Sequence, residues 1–177
     1  MLNRRRFLAG VVGATATLTA GPVAAAVARH RERSVAVINT HTGEQLRSVY
    51  WADGRYQPRA LAAFSHLLRD HRTDEVHPVD PEVLDLLVAL QGKLRFRGAF
   101  QVISGYRSPQ SNALLASMSD GVATRSLHMD GKAVDIRIPG VAVRKIGKAA
   151  IGLQAGGVGM YPRSNFVHVD VGRVRTW

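Results

Sequence analysis

Two segments in the second half of the chain alternate between apolar and ionisable residues. In residues 132–138 a valine and two isoleucines share one face and Asp135 lies on the other, while in residues 166–171 valines lie opposite His168 and Asp170. The period of two predicts strands with one face toward the core and a polar face that carries imidazole and carboxylate groups. If these strands are neighbours in one sheet, Asp135 and His168 lie on the same surface.

A further candidate group, His128, precedes Asp135 by seven residues. It belongs to the loop of residues 126–131, which ends in a glycine and can fold back over the start of the strand. Two imidazoles and one carboxylate are sufficient ligands for a catalytic zinc that keeps one position open for water. A single histidine is more often structural, and a half-exposed strand has polar residues at every second position in any case. Only the combination indicates a metal site.

The composition limits the available chemistry. The chain has no cysteine, which excludes a disulfide framework, a thiolate metal site and a cysteine nucleophile. It carries a net charge of +11, of which residues 1–26 contribute three arginines and no acid, so the remainder carries +8. Such a charge suits an anionic partner. The lysines and arginines are scattered rather than clustered with aromatic residues, so no nucleic-acid-binding surface is predicted.

The N-terminus has the pattern of an export signal. Arg4, Arg5 and Arg6 precede a charge-free stretch over residues 7–21, and small residues at 24–26 predict cleavage after Ala26. The Arg-Arg-x-Phe-Leu pattern favours the twin-arginine route over the general secretory route. An uncleaved membrane anchor is the alternative, and the Ala, Gly and Thr content disfavours it. We therefore expect a periplasmic protein that contacts the membrane only transiently.

The remaining chain is predicted to hold a flexible leader at residues 27–34 and one domain at residues 35–177. Helices are expected where apolar residues recur at helical spacing, two of them introduced by Asp80-Pro81 and Ser108-Pro109, a cap followed by proline. Strands and helices in separate runs predict an α+β fold, with a mainly antiparallel sheet bearing the zinc site and helices packed on its other face. The expected strands are residues 35–39, 45–51, 100–104, 132–138, a short strand near 160 and 166–171, and the expected helices are residues 58–70, 81–90, 109–117 and 141–153.

Three short motifs carry a resemblance to a known group of enzymes. Residues 126–135 match Ser-x-His-x-x-Gly-x-Ala-x-Asp, residues 166–170 read Phe-Val-His-Val-Asp, and residues 104–108 read Ser-Gly-Tyr-Arg-Ser. Together they resemble the zinc peptidases of the clan that includes bacterial D-Ala-D-Ala carboxypeptidases, lysostaphin-type and murein endopeptidases, and the hedgehog signalling domain. The resemblance covers roughly residues 35–177. It is closest to exported murein endopeptidases, whose C-terminal run is similar to residues 168–177.

The resemblance implies that His128, Asp135 and His168 bind one Zn²⁺ per chain and leave a water at the fourth position. Carboxypeptidases of the clan often have an acid three residues before the last histidine, but here that position is Asn165. Because asparagine cannot accept a proton, Asp170 is the predicted general base, on the same strand face as His168. The alternative is that Asp170 only orients a ligand.

Arg107 corresponds to an arginine that faces the substrate in this clan. A guanidinium can hold a carboxylate through two parallel hydrogen bonds, and murein peptides carry carboxylates on D-Glu, diaminopimelate and terminal D-Ala. Arg107 is therefore the predicted substrate clamp, with a structural ion pair as its alternative. Ser126 and Tyr106 are weaker candidates for polar partners of a ligand or the substrate.

The resemblance implies a zinc endopeptidase that cuts cross-links or stem peptides of peptidoglycan, and we expect a monomer. Two alternatives stay open: a D,D-carboxypeptidase that trims terminal D-Ala, and a zinc-containing wall-binding module without catalysis. Asn165 keeps the last alternative open, and the acid at Asp170 speaks against it. The bond that is cleaved depends on the walls of the cleft, which the motifs do not define.

Overall fold

In the computed structural model the described residues are 22–28, 30–118 and 123–177, and they contain one eight-stranded sheet. The predicted signal peptide falls mainly on residues 1–21, which lie outside the described residues. The strands are β1 (Arg33–Asn39), β2 (Gln45–Ala52), β3 (Arg55–Tyr56), β4 (Phe100–Ser104), β5 (Ala133–Arg137), β6 (Gly157–Tyr161), β7 (Phe166–Asp170) and β8 (Arg175–Thr176). Their order across the sheet is β3-β2-β1-β4-β5-β7-β6-β8.

Each helix expected from the sequence is present within a few residues of its predicted bounds. The helices are α1 (Pro22–Val27), α2 (Pro58–Leu67), α3 (Pro81–Leu94), α4 (Pro109–Met118) and α5 (Val143–Ile151), with a short 3-10 helix at Leu127–Asp130. Helix α3 begins as predicted, because the Asp80 side chain accepts a hydrogen bond from the backbone N–H of Glu82 and Pro81 follows the cap. Among the described residues, no helix has the length and apolar character that crossing a membrane requires.

The α+β class is confirmed, but the sheet is mixed, which corrects the expectation of a mainly antiparallel one. β1 pairs with β4 in parallel, and β6 pairs with β8 in parallel. The β1–β4 pairing requires a crossover, which helices α2 and α3 provide between the two strands. The β1–β2 pair is antiparallel, as are the β4–β5, β5–β7 and β6–β7 pairs that surround the candidate ligands.

One face of the sheet packs against α2, α3 and α5 and forms the core. The valine and isoleucine side chains predicted to face inward on β5 and β7 are buried there, and the helices contribute the other half of the same cluster. Representative members are Phe64, Leu84, Leu87, Ile136, Ile146, Val167 and Val169, all between 0 and 2 % exposed. Burial of apolar surface therefore fixes which side chains are left for the opposite face.

The opposite face is covered as well, although the alternating sequence is typical of a half-exposed strand. Asp135 is 7 % exposed, His168 is 8 % and Asp170 is 0 %. The cover comes from the 3-10 helix and from the loop after β4, where the backbone N–H of Arg107 donates to the carbonyl of His128. The ionisable groups of this face are consequently shielded from water, which strengthens their mutual interactions.

Candidate metal centre

Strand register brings Asp135 and His168 side by side, as the sequence predicts. They are directly paired across β5 and β7. His128 joins them from the 3-10 helix. Ser126 caps the start of this helix, and its side chain accepts a hydrogen bond from the backbone N–H of His128. The helix ends at Gly131, whose φ of 64° is left-handed, and a glycine adopts this conformation without strain. This tight turn delivers the chain directly into β5 and places His128 over the strand start.

The three candidate ligands converge on one point. Nε2 of His128 lies 3.1 Å from Nδ1 of His168 and 3.3 Å from Oδ1 of Asp135, and His168 Nδ1 lies 2.9 Å from the same oxygen. One ligand atom from each residue lies within 4.8 Å of the others. Tetrahedral zinc with bonds of about 2.0–2.1 Å has ligand atoms about 3.3 Å apart. The cluster therefore has dimensions that fit such an ion with small adjustments.

The other ring nitrogen of each histidine defines its tautomer. Nδ1 of His128 lies 2.7 Å from the carbonyl oxygen of Gly105, which can only accept, so this nitrogen carries the proton. Nε2 of His168 lies 3.0 Å from Oδ2 of Asp170 and donates to it. In their neutral forms both histidines therefore turn a lone pair toward the carboxylate of Asp135. Three electron-pair donors in contact repel one another unless a cation lies among them.

The electrostatics of the cluster agree with a cation-binding site. Burial alone would raise the pKa of Asp135, but the adjacent imidazoles of His128 and His168 outweigh it and hold the pKa below its ordinary value. Burial likewise would lower the pKa of His168, but hydrogen bonds to Asp135 and Asp170 raise it overall. In the absence of a metal, a proton on His168 can thus stabilise the cluster, and it competes with a metal for the same lone pair.

Asp170 lies on the side of the His168 ring that faces away from His128 and Asp135. It accepts from His168 Nε2, which is the nitrogen that points away from the cluster, and from the backbone N–H groups of Gly157 and Gly172. Arg175 donates to both of its oxygens at 3.1 and 2.7 Å. Burial opposes ionisation, yet these donors hold the pKa of Asp170 below its ordinary value. A fully buried carboxylate with four partners favours the role of orienting His168 over proton transfer.

Arg107 stands next to the cluster with its hydrogen-bonding capacity largely free. Its Nη2 is 3.7 Å from Oδ2 of Asp135 and 3.5 Å from Oγ of Ser104, and its Nη1 is 3.4 Å from Oδ1 of Asn112. These distances exceed the 2.7–2.9 Å of a strong charge-assisted bond. Nε has no partner among the described residues, and burial lowers the pKa of Arg107. The geometry therefore favours a guanidinium that is available to bind a substrate carboxylate, rather than one already engaged in a structural ion pair.

Asn165 occupies the turn between β6 and β7. Its φ is 54°, its backbone N–H donates to the carbonyl of Pro162, and its side chain is exposed. Asparagine is among the few residues that tolerate this left-handed conformation. The turn conformation therefore suits asparagine at this position. The weaker candidates have local roles: Ser126 caps the 3-10 helix, and the Tyr106 hydroxyl donates to Glu75 at 2.9 Å.

Three residues for which the sequence predicted no role lie beside the metal cluster. Arg175 holds Asp170, the Trp177 ring lies 5.2 Å from the His168 ring, and the Tyr161 hydroxyl accepts from Trp177 Nε1 at 2.7 Å. All three lie in or next to β6 and β8. For Arg175 and Trp177 the only signal was the C-terminal part of the resemblance, residues 171–177, which carried no functional argument by itself, and Tyr161 had no signal.

An α+β domain whose sheet and adjoining 3-10 helix bring two imidazoles and a carboxylate into metal-ligand geometry fits a metal-dependent hydrolase. The family model described as "Peptidoglycan L,D-endopeptidase MepK" matches residues 27–177, and the chain belongs to this peptidase family. The protein named peptidoglycan L,D-endopeptidase MepK in Escherichia coli K12 is 44% identical over 177 residues, covering 99% of this chain and 97% of the relative. A Haemophilus influenzae protein, named probable peptidoglycan L,D-endopeptidase MepK, is 40% identical over 99% of this chain and 95% of its own length.

Membership of this family confirms the resemblance to murein peptidases. The chain is a peptidoglycan hydrolase of a metallopeptidase family. The motifs did not define which peptide bond is cleaved. The names of the relatives specify L,D-endopeptidases.

Proposed function

We propose that this protein hydrolyses L,D peptide bonds of peptidoglycan with a water activated by one zinc ion held by His128, Asp135 and His168. The observation that carries the proposal is the convergence of three lone pairs within 3.3 Å of one another, with each histidine's other nitrogen held by an acceptor. When bound, zinc lowers the pKa of a water to about 7 and polarises the scissile carbonyl. The names of the 40–44% identical relatives support the substrate and the bond.

The protein's own residues hold this centre in place. The Gly105 carbonyl and the Asp170 carboxylate each accept a ring N–H, so the two imidazoles enter the site in the correct tautomer and cannot rotate freely. Asp170 is in turn held by Arg175 and two backbone N–H groups. We assign Asp170 to the orientation of His168, in place of the general-base role expected from its position in the sequence.

Arg107 binds a carboxylate of the wall peptide in this proposal. Its side chain is 12 % exposed and its guanidinium makes only long contacts, so a substrate carboxylate can take two parallel hydrogen bonds without displacing a short one. Asp135 is the nearest acid, and its Oδ2 lies 3.7 Å away. A carboxylate held by Arg107 therefore lies next to the metal ligands, which positions the adjacent peptide for attack.

Export to the periplasm completes the proposal, because the substrate is outside the cytoplasm. Residues 1–26 have the features of a cleaved signal, and the chain that remains is basic, which suits a wall polymer rich in carboxylates. We propose that the mature protein acts there as a monomer with peptidoglycan as its partner.

The test is incubation of the zinc-loaded protein with purified cell wall, with the released fragments identified by mass. We expect products of cleavage between an L- and a D-configured centre, and no products from His128→Ala. Release of free D-Ala alone would assign the D,D-carboxypeptidase alternative. Binding to wall without any released fragment would assign the non-catalytic module.

A further inference from the structure

The metal centre lies in the middle of a row of residues that crosses four neighbouring strands. Ser104 of β4 pairs with Asp135 of β5, Asp135 pairs with His168 of β7, and His168 pairs with Gly159 of β6. With strands about 4.8 Å apart, this row is about 14 Å wide. The Arg107 guanidinium lies near its first end, 3.5 Å from the Ser104 hydroxyl. The other end, at Gly159, has no side chain of its own.

The Trp177 ring occupies the space over Gly159. A Cβ atom added to Gly159 would lie 2.6–2.8 Å from three atoms of this ring, so only glycine permits the approach. The Trp177 backbone is held against β6 by two hydrogen bonds, from its N–H to Val158 and from the Met160 N–H to its carbonyl, both 3.2 Å long. The ring therefore lies at a fixed place on the sheet, next to His168.

The ring is held at its polar atom and half exposed at its apolar surface, with the Arg175 guanidinium 4.9 Å from its centroid. Nε1 donates to the Tyr161 hydroxyl at 2.7 Å, and the Tyr161 ring stacks on Phe166 with centroids 4.5 Å apart. Trp177 nevertheless remains 50 % exposed, among the most exposed large apolar side chains of the described residues. Aromatic side chains fixed in this way offer contact area to a ligand at little cost in conformational entropy.

We propose that Trp177 and Tyr161 form an aromatic subsite on the His168 side of the metal centre. Its ligand is the aliphatic part of a long side chain in the wall peptide, such as that of diaminopimelate, while Arg107 holds a carboxylate on the Asp135 side. A substrate that offers a carboxylate and an aliphatic stem on opposite sides of the scissile bond then lies along the row. This inference rests on the proposed peptidase function and adds to it the residues that select the substrate.

Kinetics with a soluble cross-linked muropeptide test the subsite. We expect Trp177→Ala to raise KM about tenfold or more, because apolar contact area is lost, while kcat changes little and zinc content is unchanged. Gly159→Ala retains the tryptophan but displaces its ring, and we expect a rise of KM in the same direction. Val174→Ala is the matched control, since Val174 is 52 % exposed in the same segment, and its KM should equal that of the wild type.

A fluorescence titration tests binding without hydrolysis. The chain has two tryptophans, so Trp51→Phe leaves Trp177 as the only tryptophan reporter. Addition of a diaminopimelate-containing stem peptide should change its emission saturably, and Arg107→Ala should shift the midpoint to higher concentration.

Two results would overturn the subsite. One is an unchanged KM in both Trp177→Ala and Gly159→Ala while the wild type cleaves. The other is loss of zinc affinity with unchanged KM, which would limit Trp177 to supporting His168. A wild type that releases no fragment overturns the proposed function instead, and the fluorescence titration then still decides whether the subsite binds the peptide.

Discussion

His128 and His168 turn different ring nitrogens toward Asp135, and this difference follows from where their partners lie. Gly105 is on the loop side of His128 and accepts from Nδ1, whereas Asp170 is two residues along the strand from His168 and accepts from Nε2. Each imidazole is thus fixed by an acceptor outside the cluster. Residue types and spacing predict the three ligands, but the tautomers depend on a backbone carbonyl that no sequence pattern indicates.

Asp170 can either orient His168 or act as the general base, and the two roles predict different effects of Asp170→Asn. If it orients His168, Asp170→Asn weakens zinc binding about 10- to 100-fold, because the ring loses a charged acceptor. A competition titration with a zinc chelator measures this change. Asp130→Asn makes the same substitution at an exposed acid near the cluster and should leave zinc affinity unchanged. Retained zinc affinity with activity reduced at least about 10²-fold would instead support Asp170 as the base.

The clamp role of Arg107 depends on the planar shape of its guanidinium. Arg107→Lys keeps the charge but loses the planar pair of donors, so we expect a higher KM for wall peptides and an unchanged zinc content. Arg107→Ala should raise KM further. Steady-state kinetics measure both, with Arg97→Ala as the control because Arg97 is exposed and precedes β4, whereas Arg107 follows that strand. Equal KM values for the wild type and Arg107→Ala would contradict the clamp.

The elements show which features of the fold a sequence can predict. Alternation in β5 and β7 predicted which residues share a face, because the period of two is a local property. It did not predict the burial of the polar face, since the covering loop comes from residues 105–108, far from β7 in the chain. The parallel pairing of β1 with β4 depends on a crossover, and β3 and β8 have only two residues each, too few for a periodic pattern.

Asp70 connects two elements near the site and carries a pH-dependent part of the stability. Its Oδ2 accepts from the backbone N–H and hydroxyl of Ser108 at 2.8 and 2.7 Å, which fixes the start of α4 directly after Arg107. Burial would raise the pKa of Asp70, but the neighbouring hydroxyl of Ser111 and the Ser108 and Arg72 donors lower it overall.

We therefore expect Asp70→Asn to reduce the free energy of unfolding by about 1.5–3 kcal/mol at pH 7, the usual range for hydrogen bonds to a charged group. Because the folded-state pKa lies below the unfolded value of about 3.9, this difference should shrink as the pH falls below about 4. Denaturant unfolding at pH 7 and pH 3 measures it. Asp74→Asn is the control in the same loop, with a side chain that is 80 % exposed. A difference independent of pH would contradict the ionised state of Asp70.

The net charge of the whole molecule agrees with the predicted export. The chain without residues 1–26 carries +8, and it acts on a polymer outside the cytoplasm in the proposed function. Composition predicted an anionic partner but not which one. The motif resemblance predicted the wall, the family match confirmed it, and the relatives' names supplied the bond. The proposed Trp177 subsite has no sequence signal of this kind, because its residues meet the site only in the folded sheet.

The export route gives a prediction for the complete chain. If Arg4 and Arg5 engage the twin-arginine route, changing both to lysine leaves the precursor in the cytoplasm, as cell fractionation with an antibody would measure. Arg6→Lys keeps the pair and should be exported normally. Unchanged export of the double variant would assign the general secretory route.

Metal analysis of the purified mature protein shows whether His128, Asp135 and His168 form one zinc site. We predict one zinc per wild-type chain, and a loss of tightly bound zinc in His128→Ala, because two remaining ligands do not suffice for a stable site. His66→Ala controls for histidine loss, since His66 is exposed on α2. Equal zinc content in the wild type and His128→Ala would contradict the assignment.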